Sequence, residues 1–419
     1  MSSNLSSAGA PRRDPADDVP ALARLCSASG AEFASEVWSR QAWLSRTEEL
    51  PGDIDELFSL DAVDELLSRR ALRTPFLRLA RNGRVVPSTS FTGSGGVGAR
   101  VADQVIDDSV LRQFADGTTL VLQGVHRTWQ PVGELAAGLA DELGHPVQVN
   151  SYITPPQSQG FAAHYDTHDV FVLQIAGHKK WRVHEPVLDQ PLPTESWDTT
   201  AEAVRARADE SPVIEAVLRP GDCLYLPRGF IHSATALGGT SVHLTFGIHP
   251  VIERDVVRSI LEVLETSGWR RSMPADWQPG SASGAAQIQA VLDDLAEALN
   301  DVDVDAVANL LHDRRAAQQR PEPIAPIAQA EAAASLKPGD AVRLRTHLNA
   351  RLEAFGADPP TLVASGGRRI PVSVQERPAI ERLLAGHTEA IEELPAAGPD
   401  DALELARRLL REGVLVPVV

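Results

Sequence analysis

The sequence predicts an α+β protein whose core is an antiparallel double sheet or barrel, of which the jelly roll is one form. Three observations support this fold class. Between about residues 118 and 246, short runs rich in β-branched and aromatic residues alternate with turn residues. These runs do not alternate with helices, which argues against a parallel α/β sheet. Before and after this region, apolar residues recur at helical spacing.

The N-terminal part is predicted to contain a tail and a helical segment. Residues 1–20 are rich in Ser, Ala, Pro and Asp and lack any apolar period, so they predict a disordered tail. From residue 21 to about residue 79, apolar residues such as Val63, Leu66 and Leu67 recur at helical spacing. We expect this segment to form a helical cover for the strands that follow.

The central part is predicted to hold six strands and one amphipathic helix at about 132–143. Gly177, the Pro220-Gly221-Asp222 sequence and Gly238-Gly239 are expected to form the turns between strands. Asp222 is interpreted as a residue that shapes its turn. The six predicted strands are 119–122, 147–153, 170–175, 180–184, 223–226 and 241–246.

Helical spacing resumes after Pro250, and the stretch 316–338, rich in Ala, Gln and Pro, is interpreted as a linker. A last unit follows, with a helix predicted at 342–355, strands at 361–364 and 369–374, and two further helices. This order is typical of a small winged-helix-like domain. Residues 340–419 contain 10 basic and 12 acidic residues, so we expect protein contacts there and no DNA binding.

The composition excludes several classes of protein. The 419 residues include 39 Lys and Arg against 57 Asp and Glu, and this net charge of −18 excludes a generic basic nucleic-acid binder. Cys26 and Cys223 are the only cysteines, which excludes a disulfide framework or a zinc-cysteine site and fits a reducing cytoplasm. Residues 1–20 lack the apolar part of a signal peptide, and no run of 18 apolar residues occurs, so we expect neither secretion nor membrane insertion.

The residue types with the most chemical potential are concentrated in two segments, 161–174 and 220–232. On a strand, His164 and Asp166 would project from the same face, and a second strand could bring His232 beside them. Two imidazoles and one carboxylate on one face of an octahedron suit non-haem Fe(II) and leave three positions open. The alternatives are a jelly roll with purely structural histidines and a metal-binding protein without turnover.

A family resemblance supports the first interpretation. The segment 150–166, which reads NSYITPPQSQGFAAHYD, and the later segment GHKKWRV at 177–183 resemble the JmjC-type ribosomal oxygenases. These are cupin-like 2-oxoglutarate enzymes that hydroxylate ribosomal proteins. The resemblance implies a double-stranded β-helix over 21–250, including its helical N-terminal part. It also implies a helical dimerisation section with a linker over 251–335 and a winged-helix-like domain over 336–419.

The resemblance also implies roles for individual residues. Lys179, one of only three lysines, lies 15 positions after His164, where relatives place the cation that binds the distal carboxylate of 2-oxoglutarate. Trp181 and Phe171 are expected in the barrel core. One departure is Gly247, at a position where relatives often have serine. The residues expected in the cosubstrate pocket besides Lys179 are Asn150, Tyr152, His243 and Thr245, and those expected on the substrate side are Gln123 and Tyr165.

The sequence therefore predicts a homodimeric, cytoplasmic dioxygenase that uses Fe(II), 2-oxoglutarate and O2, with His164, Asp166 and His232 as its metal ligands and catalytic residues. The implied substrate is a histidine or arginine side chain of a ribosomal protein, and the implied coproducts are succinate and CO2. Two alternatives stay open: an oxygenase acting on a small molecule or natural-product peptide, and a non-catalytic cupin-type binding protein.

Overall fold

The structure is a computed structural model that describes residues 19–81, 83–156, 162–264, 267–353, 361–364, 367–396 and 398–418. Residues 1–18, which make up most of the predicted tail, lie outside the described residues. The chain divides into two units, residues 1–249 and 250–419. No helix in the described ranges is both long enough and apolar enough to span a membrane.

A nine-stranded antiparallel sheet forms the centre of the first unit, and this sheet fits a jelly roll. The strand order is β1-β10-β8-β11-β7-β6-β2-β3, and β9 pairs with β8. Two further strands, β4 and β5, pair with each other. The strands are β1 (Trp43–Ser45), β2 (Leu77–Arg81), β3 (Arg84–Val85), β4 (Thr92–Gly93), β5 (Gln104–Val105), β6 (Thr119–Leu122), β7 (Val147–Thr154), β8 (Asp169–His184), β9 (Ile214–Leu218), β10 (Cys223–Leu226) and β11 (Ile231–Ile248).

The predicted strands at 119–122 and 223–226 are confirmed, but two predicted turns do not end their strands. Gly177 lies within β8, and Gly238-Gly239 lies within β11, where the register shifts between Leu237 and Val242. Gly177 has a φ of 64°, and a Cβ there would lie 2.2 Å from the carbonyl oxygen of Thr240. The glycine therefore lets two long strands bend together without a break in the chain.

Helices of the first unit share a hydrophobic core with the sheet. Phe33 and Val37, which follow α1, and Val63 of α2 belong to the same buried cluster as Phe171 and Phe246 of the sheet. The predicted helix at 132–143 is confirmed within α5. The helices of this unit are α1 (Gly30–Glu32), α2 (Leu60–Arg69), α3 (Asp107–Ala115), α4 (Val125–Thr128), α5 (Gln130–Leu143) and α6 (Ala201–Ala208).

The second unit contains six helices and two small sheets among its described residues, ordered β16-β12-β17 and β13-β14-β15. The helices are α7 (Glu253–Val263), α8 (Ala282–Leu299), α9 (Val304–Gln318), α10 (Pro326–Ser335), α11 (Arg377–Leu384) and α12 (Pro399–Arg411). The strands are β12 (Ala341–Leu344), β13 (Arg351–Leu352), β14 (Thr361–Ala364), β15 (Arg368–Pro371), β16 (Glu389–Ala390) and β17 (Leu415–Val418).

Two predictions for the second unit were wrong. Over its described residues, 342–353, the helix predicted at 342–355 is replaced by β12 and β13, because His347 and Asn349 between them adopt positive φ values, which a helix excludes. Residues 354 and 355 lie outside the described residues. The linker predicted at 316–338 contains α10. Its Ala333 is buried in the C-terminal core, and its Gln329 donates hydrogen bonds to the carbonyl oxygens of Leu410 and Leu415 near the end of the chain. Alanine-rich sequence thus forms a packed helix here.

Asp222 holds the turn before β10 through three hydrogen bonds, which agrees with its predicted role. Its buried carboxylate accepts from the backbone N–H groups of Thr47 and Arg219, at 3.0 Å each, and from the guanidinium of Arg46 at 2.7 Å. We expect Asp222→Ala to lower the free energy of unfolding by about 1 to 3 kcal/mol, because two backbone N–H groups and the Arg46 guanidinium lose a buried acceptor.

Urea unfolding followed by circular dichroism would measure this loss. The exposed Asp209 is a matched control, and its replacement by alanine should change stability by less than about 0.5 kcal/mol. Equal stability of the Asp222→Ala variant and the unchanged protein would contradict the role assigned to this carboxylate.

Candidate metal centre

Three side chains converge at one end of the jelly roll. His164, Asp166 and His232 each present one ligand atom, and these atoms lie within 4.8 Å of one another. The His164 and His232 ring centroids are 4.5 Å apart, and His232 Nε2 lies 3.8 Å from Asp166 Oδ2. This is the only such cluster of three metal-ligating side chains among the described residues.

The backbone that presents these side chains differs from the prediction. His164 and Asp166 do not lie on a continuous strand, since β8 begins only at Asp169. His164 forms an isolated bridge with His232, in which each backbone N–H donates to the other's carbonyl oxygen. The N–H of Gly229 donates to the carbonyl oxygen of Asp166 at 3.0 Å. The loop is therefore held against the start of β11 by backbone hydrogen bonds.

Backbone carbonyls also orient both imidazole rings. His164 Nδ1 lies 2.8 Å from the carbonyl oxygen of Ala162, and His232 Nδ1 lies 3.0 Å from that of Phe230. Because a carbonyl can only accept, each Nδ1 carries the proton in these hydrogen bonds. Nε2 of each ring is then the nitrogen with a lone pair for a metal ion.

The charge states of the cluster suit a metal ion at neutral pH. Burial, followed by the nearby His164, lowers the pKa of His232 to about 4, so its imidazole is neutral. Burial acts to raise the pKa of Asp166, but His168, His232 and His164 outweigh it and lower that pKa. The site therefore combines a neutral imidazole with an ionised carboxylate, the forms that bind metals.

A cavity of about 290 Å³ adjoins the three side chains. Neighbouring strands place His243 of β11 opposite Tyr152 of β7, and their rings stack with centroids 5.0 Å apart. Burial is the main cause that raises the pKa of Tyr152 to about 12 and lowers that of His243, so both rings are neutral. Thr245 also lines this cavity, and Trp181 is both part of the predicted core and part of the cavity wall.

Lys179 is buried in the same cavity. Its Nζ donates to Thr154 Oγ1 at 3.2 Å and lies 5.9 Å from the ring centroid of Trp181. No carboxylate pairs with it among the described residues, and burial lowers its pKa to about 7. The next residue, Lys180, points to the other face and pairs with Glu215 at 2.6 Å. The cavity therefore contains a cation whose charge no protein anion balances.

Asn150 and Gln123 lie outside the cavity lining. Asn150 Oδ1 accepts a hydrogen bond from the N–H of Gly124 at 3.1 Å, which holds the turn after β6. Gln123 lies in the same turn, one residue before Gly124. The structure thus gives Asn150 a supporting role, and the prediction that it contacts a ligand does not match its placement.

The prediction of Tyr165 as a substrate-side residue is corrected. Its side chain is buried with Val204 and Ile231, and its hydroxyl donates to the carbonyl oxygen of Glu195 at 3.0 Å. Tyr165 lies between His164 and Asp166 in the sequence, and its ring packs away from the cavity that they adjoin. It stabilises the loop that carries the two ligands.

His168 fills the space above Gly247, the position where relatives often have serine. A Cβ at residue 247 would lie 2.8 Å from two atoms of the His168 ring, which stacks on His249 at 5.0 Å. A side chain at 247 would therefore require the His168 ring to move.

Several cavity residues were not predicted from the sequence. They share a position facing the cavity from strands or loops that carry no recognisable motif. In β2, the alternation Leu77-Arg78-Leu79 shows which residues share a face, but it does not show that the second face borders a cavity. The residues missed are Arg78, Thr119, Trp197 and Ser233.

The low pKa of Lys179 leads to a pH dependence of anion binding. Below about pH 7 the amine is charged and can pair with a carboxylate, whereas above it the fraction charged falls about tenfold per pH unit. We expect the affinity for 2-oxoglutarate, measured by calorimetry, to fall between pH 7 and pH 9. His232, with a pKa of about 4, does not titrate in this range.

The Lys179→Arg variant is the control, because arginine stays charged throughout this range. The affinity of this variant for 2-oxoglutarate should stay constant between pH 7 and pH 9. A wild-type affinity that is constant from pH 6 to pH 9 would contradict the assigned pKa.

Comparisons with known proteins agree with this geometry. The family model for the JmjC domain matches residues 127–256. Human ribosomal oxygenase 1 is 39% identical over 158 residues, which cover 35% of this chain and 24% of that protein. The bifunctional lysine-specific demethylase and histidyl-hydroxylase NO66 of Drosophila persimilis is 31% identical over 194 residues, which cover 38% of this chain and 27% of that protein. The chain thus spans about a quarter of the length of these curated relatives.

Among solved structures, YcfD, a ribosomal oxygenase from Escherichia coli, has the same fold. It superposes with a TM-score of 0.54 at 17% identity, over 94% of this chain and 99% of YcfD. A second YcfD structure, in complex with cobalt and 2-oxoglutarate, superposes with a TM-score of 0.53 at 16% identity, over 94% of this chain. Residues 127–256 of this chain therefore form a JmjC domain, and the chain is similar in sequence to the ribosomal oxygenases.

Proposed function

We propose that this protein is an Fe(II)- and 2-oxoglutarate-dependent oxygenase that hydroxylates a histidine or arginine side chain of a ribosomal protein. The observation that carries the proposal is the convergence of His164, Asp166 and His232 beside the buried Lys179 in one cavity. A structural cluster of histidines would not require an unbalanced cation next to it.

The residues present fit both cofactors. Two imidazole nitrogens and one carboxylate oxygen, all within 4.8 Å, match the donor set that holds Fe(II) on one face and leaves other positions open. Lys179 is buried without an acidic partner among the described residues. It can therefore pair with a ligand carboxylate that loses its hydration shell when it enters the cavity. YcfD, which has this fold, has been crystallised with cobalt and 2-oxoglutarate.

When bound, iron and 2-oxoglutarate supply the oxidation: the cosubstrate loses CO2 and becomes succinate, and the two atoms of O2 enter succinate and the substrate C–H bond. The protein provides placement. Lys179, which bonds to Thr154, would hold the distal carboxylate of the cosubstrate, while His164, Asp166 and His232 would hold the metal. The neutral rings of Tyr152, His243 and Trp181 limit the access of water to the site.

The domain roles follow from the same proposal. We assign residues 21–250 as the catalytic domain and the helical section after it as a dimerisation section. Exposed apolar side chains on α7 and α8 support a homodimer: Val257, Leu261, Ile288, Val291 and Leu292. A sedimentation experiment that finds only the monomer mass would contradict the homodimer.

Two buried free cysteines, Cys26 and Cys223, support the cytoplasm as the compartment.

The C-terminal part is proposed as a winged-helix-like protein-contact domain. Helices α11 and α12 share a core with strands β12 and β17, which supports a compact helix-and-strand unit. Helix α10 contributes Ala333 to the same core. We therefore propose that the domain begins at about α10, before the boundary at 336 that the sequence predicts.

The proposed activity can be tested with the purified protein. We expect incubation with Fe(II), 2-oxoglutarate, O2 and the host's ribosomal proteins to yield succinate and one or more ribosomal peptides heavier by one oxygen atom. The His164→Ala variant should yield neither, whereas His178→Ala, at an exposed position on β8, should yield both. Succinate production without any modified ribosomal peptide would favour a small-molecule or natural-product substrate.

A further inference from the structure

A second cation faces the cavity, and no motif or comparison assigns it a role. Arg78 of β2 lies opposite Val121 of β6, which in turn lies opposite Tyr152 of β7. With strands about 4.8 Å apart, Arg78 sits about 10 Å across the sheet from Tyr152. Its side chain lines the cavity. Its Nε is buried and has no hydrogen-bond partner among the described residues.

Arg78 and Lys179 lie in different parts of the cavity. Lys179 donates a hydrogen bond to Thr154 of β7. Arg78 is aligned across the sheet with Tyr152, which lies two residues before Thr154 on β7. Arg78 and Asp166 both influence the pKa of the Tyr152 hydroxyl, Asp166 raising it and Arg78 lowering it. Tyr152 is therefore near both Arg78 and one of the metal ligands. A substrate side chain that reaches the metal past Tyr152 brings its neighbouring atoms close to Arg78.

The charges of the cavity restrict which side chain can enter. Among the described lining residues, the charged groups are Arg78, Lys179 and Asp166, and Asp166 is engaged in the metal centre. No further carboxylate is present in this lining to pair with a cationic substrate. Lys179 is engaged by the cosubstrate carboxylate in the proposed function. Since a buried charge requires a partner, an arginine side chain would meet the charge of Arg78 and no acceptor of its own. A neutral imidazole has no such conflict.

We infer that Arg78 is a specificity-determining residue: it donates hydrogen bonds to a carbonyl or carboxylate oxygen beside the modified residue, and it repels cationic side chains. The inference rests on the proposed function and narrows it. Of the two target side chains left open there, it selects histidine in its neutral form. An unbalanced guanidinium favours an oxygen acceptor on the substrate chain, because its planar donors match carbonyl and carboxylate groups.

The test uses the full-length protein with Fe(II), 2-oxoglutarate, O2 and total ribosomal protein from the host. Three quantities are measured: the succinate formed without ribosomal protein, the residues that gain oxygen, located by mass spectrometry, and the KM for the modified ribosomal protein. We expect the wild type to oxygenate histidine and not arginine. The Arg78→Gln variant should raise the KM for the modified ribosomal protein about 10- to 100-fold.

Two further variants separate specificity from folding. Arg78→Lys keeps a cation and should recover much of the KM, while Arg78→Glu should shift the ratio of histidine to arginine oxygenation toward arginine. The matched control is Arg84→Gln, at an exposed position on the neighbouring strand β3, which should behave as the wild type.

The outcomes distinguish the two levels of the proposal. Absence of succinate from the wild type would overturn the proposed function and this inference with it. If the wild type forms succinate, three results would overturn the role of Arg78 alone. These are oxygenation of arginine, absence of oxygenated histidine, and an unchanged KM for the ribosomal protein in Arg78→Gln.

Discussion

The Asp166→Asn variant should lose metal binding at least about 100-fold and form no measurable succinate from 2-oxoglutarate. Asp166 is the only carboxylate in the cluster, and its charge is the anion that a divalent cation would meet there. Loss of an outer residue that supports a metal ligand already costs about 10- to 100-fold in affinity or activity, so loss of a ligand itself should cost at least as much. Anaerobic titration with Fe(II) and a succinate assay measure the two effects.

Asp198→Asn is the matched control for this experiment. Asp198 is exposed and follows Trp197, which lines the cavity, so it tests whether any loss of charge near the cavity has the same result. We expect its metal affinity and turnover to equal those of the wild type. Metal binding by Asp166→Asn at wild-type strength would show that the three side chains do not form the metal site.

The Lys179→Ala variant should raise the KM for 2-oxoglutarate about 100-fold or more. Removing one partner of a buried, charge-assisted pair typically costs about 2 to 5 kcal/mol, and 2.7 kcal/mol corresponds to 100-fold. Metal affinity measured without 2-oxoglutarate should change little, because Lys179 is not part of the ligand cluster. Steady-state kinetics with varied 2-oxoglutarate and a metal titration therefore separate the two sites.

Lys180→Ala provides a closely matched control, since the two lysines are adjacent on β8. Lys180 points to the opposite face and pairs with Glu215 near the surface, where a single ion pair contributes about 0 to 1 kcal/mol. We expect an unchanged KM for 2-oxoglutarate. If Lys180→Ala and Lys179→Ala have the same KM, the distal carboxylate binds elsewhere.

The metal centre illustrates what sequence spacing can and cannot predict. The pattern His164-x-Asp166 and a later His232 were sufficient to identify the cluster, although the strand expected to carry the first two residues is absent. Their side chains converge because the loop before β8 forms backbone hydrogen bonds with His232 and Gly229. Such long-range pairing depends on where two distant segments meet, which no local periodicity encodes.

The wrong predictions for Asn150 and Tyr165 had a common cause. Asn150 and Tyr165 lie next to functional residues in sequence, yet one holds the turn after β6 and the other packs in a small core behind the loop. Arg78 was missed for a different reason, because the segment up to about residue 79 was predicted to be helical, whereas Leu77–Arg81 form strand β2. In a jelly roll the second face of the sheet can border a cavity instead of solvent, and only the closure of the sheet decides this.

The sequence by itself determined the antiparallel core, the confirmed strands at 119–122 and 223–226, and the resemblance that singled out Lys179 from three lysines. These follow from local alternation, turn residues and a recognisable motif. The tertiary structure decided which cations share the cavity and which lack a partner. Burial leaves Lys179 and the Nε of Arg78 without acidic partners among the described residues, while Lys180, one residue away, is paired near the surface. The difference between a binding cation and a surface charge is the loss of water around it, and that depends on the folded sheet.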